Sequence, residues 1–455
     1  MLREPLHETW IDSNRFVPRR FARPIQKFME VEASAGGALL VMAVIAMVWA
    51  NSPLSDSYFD LWRSHVEISF GPVHLFSHSL QAFVNDALMA IFFFVVGLEI
   101  KREVVLGRLR DPRAAALPVM AGAGGMLFPA LVYVLIVMGE GGAALNGWAV
   151  PTATDIAFSL GVVSLLGSRV APGAKLFLLA LAIADDIGAI IIIAFFYSGS
   201  LQWNWLTWGI LTLVAVAVAG RVGIRARSFY LPMALLAWVC IHESGVHPTL
   251  VGVALAFITP SRPMYSAEEL YDKGQRILRS FPRHITTYHQ REEADHQVMA
   301  LTEVARESVA PLARNEHRLL AWSSFLVLPI FALANAGVRL EGDASQLLQP
   351  VALGTALGLL VGKTAGISLF TWLAVRMGWG ILPEGMGARD VVALAAVAGI
   401  GFTVAIFVSG LAFVDQGLID QAKLGILSGS LLAGLLGFLL YRFGPAPQAP
   451  EEASG

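Results

Sequence analysis

AKLFLLALAIADDIGAIIIIAFFY, residues 174–197, is 24 residues of hydrocarbon and small side chains, apart from Lys175 and Tyr197 near its ends, with two consecutive carboxylates, Asp185 and Asp186, at its centre. Apolar runs of comparable kind recur at 34–52, 80–100, 115–138, 147–167, 203–220, 228–242, 246–260, 319–338, 349–375, 390–414 and 422–441. Lipid accepts only helices and closed barrels, because each backbone polar group must be paired internally. Barrel strands read as alternating segments of roughly ten residues, whereas a spanning helix needs roughly twenty continuous apolar residues. These runs are of the second kind. They predict an all-α integral membrane protein with twelve transmembrane helices. The seventh and eighth are short, and Glu243-Ser244-Gly245 between them is either a tight turn or a break.

Composition agrees. Of 455 residues, 56% are hydrophobic and 15% charged, and mean hydropathy is +0.64. A soluble domain is nearer a quarter charged. Cys240 is the single cysteine, which excludes a disulfide framework. A net charge of −2 argues against a nucleic-acid partner. The first apolar run follows a long polar stretch and is long enough to stay in the bilayer, so no cleavable signal peptide is expected.

Lysine and arginine orient the chain. With twelve spans, 28 of the 32 fall in the two tails and in alternate loops, while Arg63, Arg339 and Lys423 face the other side and Lys363 lies inside a span. Positive charge marks the cytoplasmic side, so both termini are placed there. The resulting division is a cytoplasmic tail at 1–33, spans one to eight at 34–260, a cytoplasmic loop at 261–318, spans nine to twelve at 319–441, and a cytoplasmic tail at 442–455. The first tail interleaves Arg19 and Arg20 with Trp10, Phe16 and Phe21. That pattern suits an anionic lipid surface, and equally a merely solvated tail. The loop should hold helices around 266–280 and 290–310. Its His284, His289, His296 and His317 are either ordinary exposed histidines or a pH sensor.

The charged residues in the hydrocarbon, away from the ends of the spans, are few: Asp86, Asp155, Asp185, Asp186 and Lys363. Each charge at mid-span costs ~2.5–3.5 kcal/mol on the lenient insertion scale, which makes it a site hypothesis by default. An Asp–Lys pair that only fixes helix register is the plain alternative. It cannot absorb Asp155, Asp185 and Asp186 against one ammonium, so a carboxylate must hold a proton, a cation, or each in turn. Consecutive helical residues diverge by ~100°, so one member of the doublet can meet a neighbouring helix while the other faces a cavity. Repulsion in low dielectric favours proton exchange near neutral pH. Span four adds oxygen ligands for a hard cation in Pro151-Thr152-Ala153-Thr154-Asp155, with Thr152, Asp155 and Ser159 on one helical face. Pro151 disfavours helix at Val150 and either kinks or breaks this span. Span eleven carries Gly399-Ile400-Gly401 beside Thr403. Weak points in corresponding spans of two halves point to discontinuous helices around a midplane site, here with spans 3–5 and 10–12 as inverted repeats. Asp155 is suited to offset the positive helix ends there and Lys363 the negative ones. Small-residue ladders at Gly354, Gly358, Gly362 and Gly366, and at Gly425, Gly429, Ala433 and Gly437, predict close helix packing.

Eight blocks together resemble one family. They are Asn85-Asp86-Ala87-Leu88-Met89-Ala90, Gly97-Leu98-Glu99-Ile100-Lys101-Arg102-Glu103, Ala153-Thr154-Asp155-Ile156-Ala157-Phe158, Asp185-Asp186-Ile187-Gly188-Ala189-Ile190, Ser244-Gly245-Val246-His247-Pro248-Thr249-Leu250, Phe331-Ala332-Leu333-Ala334-Asn335-Ala336-Gly337, Gly362-Lys363, and Gly399-Ile400-Gly401-Phe402-Thr403. From about residue 30 to 441 the chain closely resembles the NhaA sodium–proton antiporters of bacteria. The resemblance implies a transporter rather than an enzyme, without cofactors, in the bacterial inner membrane. It would exchange Na+ or Li+ for a larger number of protons, be activated at alkaline pH, and serve pH and Na+ homeostasis. Broken helices four and eleven would cross at the midplane. Asp185 and Asp186 would bind Na+ or Li+ in competition with protons, Thr154 and Asp155 would line the site, and Lys363 would pair with Asp185. Glu99, Arg102, Glu103, Glu316 and His317 resemble a pH-response group in a cytoplasmic funnel, and His247 a further pH-linked position. Read alone, Glu99 and Arg102 are an i,i+3 ion pair at a helix end, and His247 a helix-end histidine. The 53–79 segment resembles a hairpin that joins homodimers. The chain departs from the resemblance in a longer 261–318 segment and an extended N-terminal tail.

Two other classes share features. An intramembrane aspartyl protease uses two membrane aspartates from separate helices, and here the doublet is consecutive. An organic-anion symporter on the same inverted plan explains the broken helices but not Lys363 beside the doublet.

Overall fold

The computed structural model describes residues 32–70, 73–282, 284, 286–340 and 344–444. The lipid-surface expectation for the N-terminal tail and most of the C-terminal tail fall outside these residues. In chain order the helices are α1 (Glu32–Ala50), α2 (Ser55–Arg63), α3 (Leu80–Val105), α4 (Pro112–Val137), α5 (Gly142–Thr152), α6 (Ile156–Leu166), α7 (Pro172–Phe196), α8 (Trp203–Val222), α9 (Arg227–Glu243), α10 (Thr249–Ile258), α11 (Ala267–Ser280), α12 (Tyr288–Glu307), α13 (Pro311–Asn335), α14 (Pro350–Arg376), α15 (Ala388–Ala398), α16 (Phe402–Ala412) and α17 (Gln416–Arg442). Among the described residues the only strands are an antiparallel hairpin, β1 (His65–Phe70) and β2 (Val73–Ser79), within the segment likened to a dimerising hairpin.

Local chemistry sets the helix starts. Asp111 caps α4 by accepting the Arg113 amide, with Pro112 at the first helical position, where its missing N–H costs nothing. Asp415 caps α17 through the Leu418 amide at 3.0 Å.

By length and hydropathy α3, α4, α7, α8, α13, α14 and α17 can each cross a bilayer. Three bent pairs raise the number to as many as ten if each is one span: α1 with α2 (113°), α5 with the helix from Ile156 (42°), and α15 with α16 (50°). The remaining apolar runs form α9 and α10, which are shorter. Their apolar stretch is divided by a turn at Ser244–Pro248 in which Gly245 has φ +83°, so Glu243-Ser244-Gly245 is a tight turn.

The described residues of 1–89, 108–199 and 321–455 form one compact unit, and those of 90–107 and 200–320 a second. Within the first, the glycine ladder of α14 lies on α4. A Cβ at Gly362 would stand 2.6 Å from the Pro129 Cα, and one at Gly366 would overlap the Gly124 carbonyl oxygen. The α17 ladder is as tight, since a Cβ at Gly425 would overlap the Ala352 carbonyl oxygen. No side chain larger than hydrogen fits at these crossings. Three spans also carry a π-helical turn, at Val84–Leu88, Ser323–Val327 and Gly358–Gly362. Nothing in the sequence pattern announces them.

Candidate ion site

The first unit is organised around two interruptions. Helix α5 ends at Thr152, Ala153 and Asp155 are extended, and α6 begins at Ile156. Helix α15 stops at Ala398 and α16 starts at Phe402, leaving Gly399-Ile400-Gly401 between them. Pro151 therefore stands at the end of a broken helix rather than in a kinked one. A Cβ at Gly401 would lie 3.0 Å from the Ala153 carbonyl oxygen, so the two gaps touch backbone to backbone. The Asp155 amide donates to the Ile400 carbonyl at 2.7 Å.

Helix ends buried in this way leave amides and carbonyls without intrahelical partners, and positive and negative poles with them. Asp155 serves two positive ends together. Its Oδ1 accepts the Phe158 amide of α6 at 3.0 Å, and its Oδ2 accepts the Thr403 amide of α16 at 3.1 Å and the Thr403 hydroxyl at 2.6 Å. Ser430 of α17 takes the Gly401 and Phe402 amides at 3.2 and 3.3 Å. At the negative end of α15, the Thr154 hydroxyl reaches the Ala398 carbonyl at 2.9 Å and the Ser159 hydroxyl the Val397 carbonyl at 3.1 Å. Hydroxyls rather than Lys363 therefore meet that pole. Thr152 does not share a face with Asp155; its hydroxyl turns back to the Ala149 carbonyl at 2.8 Å, because the chain is already extended beyond it.

Asp185, Asp186 and Lys363 lie beside this crossing. Helix α7 runs unbroken through the doublet, and both carboxylates are buried. Lys363, directly after the π turn of α14, is 0% exposed. Its Nζ donates to Asp185 Oδ2 at 2.5 Å and also to the Thr154 hydroxyl. Thr154 in turn reaches Asp185 Oδ2 at 2.6 Å. One hydroxyl proton cannot serve both Asp185 and the Ala398 carbonyl, so Thr154 can switch between them at no cost in geometry. Asp185 Oδ1 is buried with no hydrogen-bond partner. A buried carboxylate oxygen left bare is costly, and it is the kind of donor a compact hard cation takes.

Asp86 sits apart in sequence, in the π turn of α3. Its neighbour Asn85 accepts from Asn335 Nδ2 at 2.8 Å, and Asn335 accepts from Gln81 at 3.0 Å.

The residues likened to a pH-response group lie in the second unit. Arg102 pairs with Glu316 at 2.8 Å, while its charge also acts on Glu99, the i−3 acid that spacing alone suggested. Glu99 on α3 and His317 on α13 add their charges around that pair, and Glu103 acts on Glu99. His247 is not among them. Its Nδ1 lies 2.7 Å from the Thr249 hydroxyl at the start of α10, whereas Lys101, next to Arg102, donates to the Phe257 and Thr259 carbonyls at the far end. Ten helical residues intervene, roughly 15 Å.

Thr403 and Ser430 do not stand out as ligands in the sequence. Ser430 follows Gly429 on the small-residue stripe of α17, which is the available signal that it meets another backbone.

Residues 26–441 match the sequence model of the family described as Na+/H+ antiporter 1. The chain is a member of the NhaA Na+/H+ antiporter family. It is 43% identical over 437 residues to the Na(+)/H(+) antiporter NhaA of Oleidesulfovibrio alaskensis, covering 94% of this chain and 96% of that protein. It is 42% identical over 419 residues to that of Rhodopirellula baltica, covering 92% and 93%. A third relative, Na(+)/H(+) antiporter NhaA 2 of Myxococcus xanthus, is 41% identical over 441 residues, covering 96% and 92%. Such membership over nearly the whole chain, together with the apolar helices, makes this a multi-pass membrane protein of the antiporter class. These relatives are named as antiporters, not as proteases or symporters.

Proposed function

We propose that this chain expels Na+ or Li+ in exchange for protons at Asp185 and Asp186, as a secondary transporter with no cofactor. The observation that carries the reading is Asp185 itself: one carboxylate oxygen is engaged by Lys363 and Thr154, and the other is buried and bare beside Asp186. A cation entering there meets two carboxylates and a hydroxyl, an all-oxygen set. Binding draws Asp185 away from Lys363, and a buried ammonium deprived of its counter-charge gives up its proton.

Charge then balances as follows. With the cation bound, both aspartates are ionised and Lys363 is neutral, so the site carries −1 including the cation. With two protons bound, Asp186 is neutral and Lys363 again pairs with Asp185, so the site carries zero. A full cycle moves two protons in and one Na+ out, with one net positive charge inward. A membrane potential that is negative inside drives Na+ extrusion, supporting pH and Na+ homeostasis. Asp155 takes no part in this traffic, because its two oxygens are committed to α6 and α16.

We extend the proposal to twelve crossings, inverted repeats of spans 3–5 and 10–12, both termini cytoplasmic, residence in the bacterial inner membrane and a homodimer joined through the β1–β2 region. Anionic lipids would contact the N-terminal tail, and Glu99, Arg102, Glu103, Glu316, His317 and His247 would take part in activation at alkaline pH. The test is dequenching of a pH dye in everted vesicles after NaCl, LiCl or KCl is added between roughly pH 6.5 and 8.5, on either side of neutrality. Na+ and Li+ should evoke a response that grows with pH, and K+ little. A dominant K+ response would sink the specificity.

A further inference from the structure

Among the described residues, the connection between α10 and α13 carries one charged side chain withdrawn from solvent. This is Glu307, the last residue of α12, 5% exposed. Helices α11 and α12 are each started by a capping box, Ser266 with Glu269 and Thr287 with Gln290, and they pack against each other. The base of this hairpin converges on Glu307. Its carbonyl accepts the Met264 amide at 2.9 Å and the Tyr265 amide at 3.5 Å, tying the entry of the hairpin to its exit. Its carboxylate accepts from Arg225 at 2.5 Å and Arg306 at 3.2 Å and faces Arg314 at 3.8 Å. Arg314 also donates to the Arg306 carbonyl at 2.9 Å. Three guanidiniums, from the segment before α9, from α12 and from α13, thus share one carboxylate. Burial works to raise the Glu307 carboxyl, but the hydrogen bond and charge of Arg225, with Arg314 and Arg306, outweigh it and hold the group below its ordinary value.

What this hub holds matters because Arg314 lies two residues before Glu316 on α13. The first turns of α13 are fastened at three points. The Leu312 amide donates to the Pro260 carbonyl at 3.1 Å, Glu316 pairs with Arg102, and Arg314 meets Glu307 and the Arg306 carbonyl. Only the last belongs to the hairpin. We propose that Glu307 is a positioning residue: by clasping Arg314 it sets the place of Glu316 against Arg102, and so makes the hairpin 266–307 a module that tunes the pH dependence of exchange. This rests on the reading above that Glu316 takes part in alkaline activation. The charges facing Glu316 are Arg102 and Glu99 from α3 and His317 from its own helix.

Glu307→Gln keeps the shape and removes the one negative charge, leaving Arg225, Arg306 and Arg314 uncompensated. Positive potential gained near Glu316 favours its ionised form. A unit charge at roughly 10 Å, in a medium between protein and water, displaces such an equilibrium by roughly half a pH unit. The pH of half-activation in everted vesicles should therefore move by about half a unit toward acid, with the apparent Na+ KM at the alkaline plateau unchanged. Glu303→Gln, an exposed acid on the same helix, should leave the profile alone, and Glu307→Asp should restore most of it. In the purified full-length protein, amide hydrogen exchange in 262–266 and 311–318 should rise in Glu307→Gln. Unchanged exchange there overturns the clasp whatever transport does. Raised exchange with an unmoved pH profile overturns the tuning role. A wild-type protein without any Na+ response overturns the exchange reading and the tuning role together, and leaves the clasp to the hydrogen-exchange result.

Discussion

Asp185→Asn removes one charge from a pair in which Lys363 is 0% and Asp185 2% exposed. Replacing both members of a buried pair by apolar groups is often neutral, whereas removing one member costs about 3–5 kcal/mol, because the survivor stays buried without its counter-charge. The carboxamide oxygen that replaces the carboxylate can still accept one hydrogen bond from Nζ, and Thr154 still accepts another, so the cost should fall at the lower end, about 3 kcal/mol. In a chain of this size that corresponds to a loss of about 3 °C in unfolding temperature. Lys363→Met in the Asp185→Asn background should recover most of it, giving a coupling of about 2–3 kcal/mol in the double-mutant cycle. Thermal unfolding of the four proteins in one detergent, near neutral pH and without Na+, measures this. Both single variants should fail to exchange, and the double variant should be stable and inactive. If the two single losses simply add in the double variant, Asp185 and Lys363 are not an ion pair in the folded protein, and the charge balance proposed for the cycle collapses.

Asp186→Asn should abolish Na+-evoked proton release in everted vesicles while leaving unfolding temperature near that of the wild type; retained release would remove Asp186 from the site. Thr403→Val deletes a 2.6 Å hydroxyl donor to buried Asp155 and should cost about 1.5–3 kcal/mol, with Thr403→Ser close to wild type; a silent valine variant would show that Asp155 does not depend on that bond. Apparent Na+ affinity should strengthen with pH by up to about tenfold per unit for each proton displaced. Currents on solid-supported membranes that show a flat affinity between about pH 6 and 8.5 would exclude shared sites, and no current at all would exclude unequal exchange.

Much of this architecture is written in local pattern, and the misses have identifiable causes. The apolar runs and the intramembrane charges are visible because lipid penalises each exception individually, so Asp155, Asp185, Asp186 and Lys363 stand out one by one. The break at Pro151 and the weak point at Gly399-Ile400-Gly401 are visible for the same reason: helix-breaking residues have no other excuse at mid-span. What pattern does not carry is partnership across sequence distance. Arg102 has an acid at i−3, yet it pairs with Glu316, because helical spacing reports which groups are near and says nothing of a competing acid brought by packing. Lys363 suits a helix pole by charge and is found on Asp185 and Thr154, because two hydroxyls already occupy the carbonyls of α15. The π turn before Lys363 has no composition of its own. It arises in Gly358–Gly362, where glycines admit α14 to the α4 backbone.

The geometry also separates two kinds of buried acid that look alike in sequence. Asp155 spends both oxygens on hydrogen bonds to the ends of α6 and α16, so its charge is fixed by partial charges that cannot move. In the proposed cycle it offsets those two helix ends throughout. Asp185 spends one oxygen on Lys363 and a shared hydroxyl, both of which can be given up, and keeps the other bare. Its charge is therefore balanced by groups that can exchange for a cation. A transporter needs both: without the first, two buried positive helix ends would repel the cation, and without the second nothing would distinguish a loaded site from an empty one. Exchanging the two environments, rather than the two residues, is what would be required to move the proposed site.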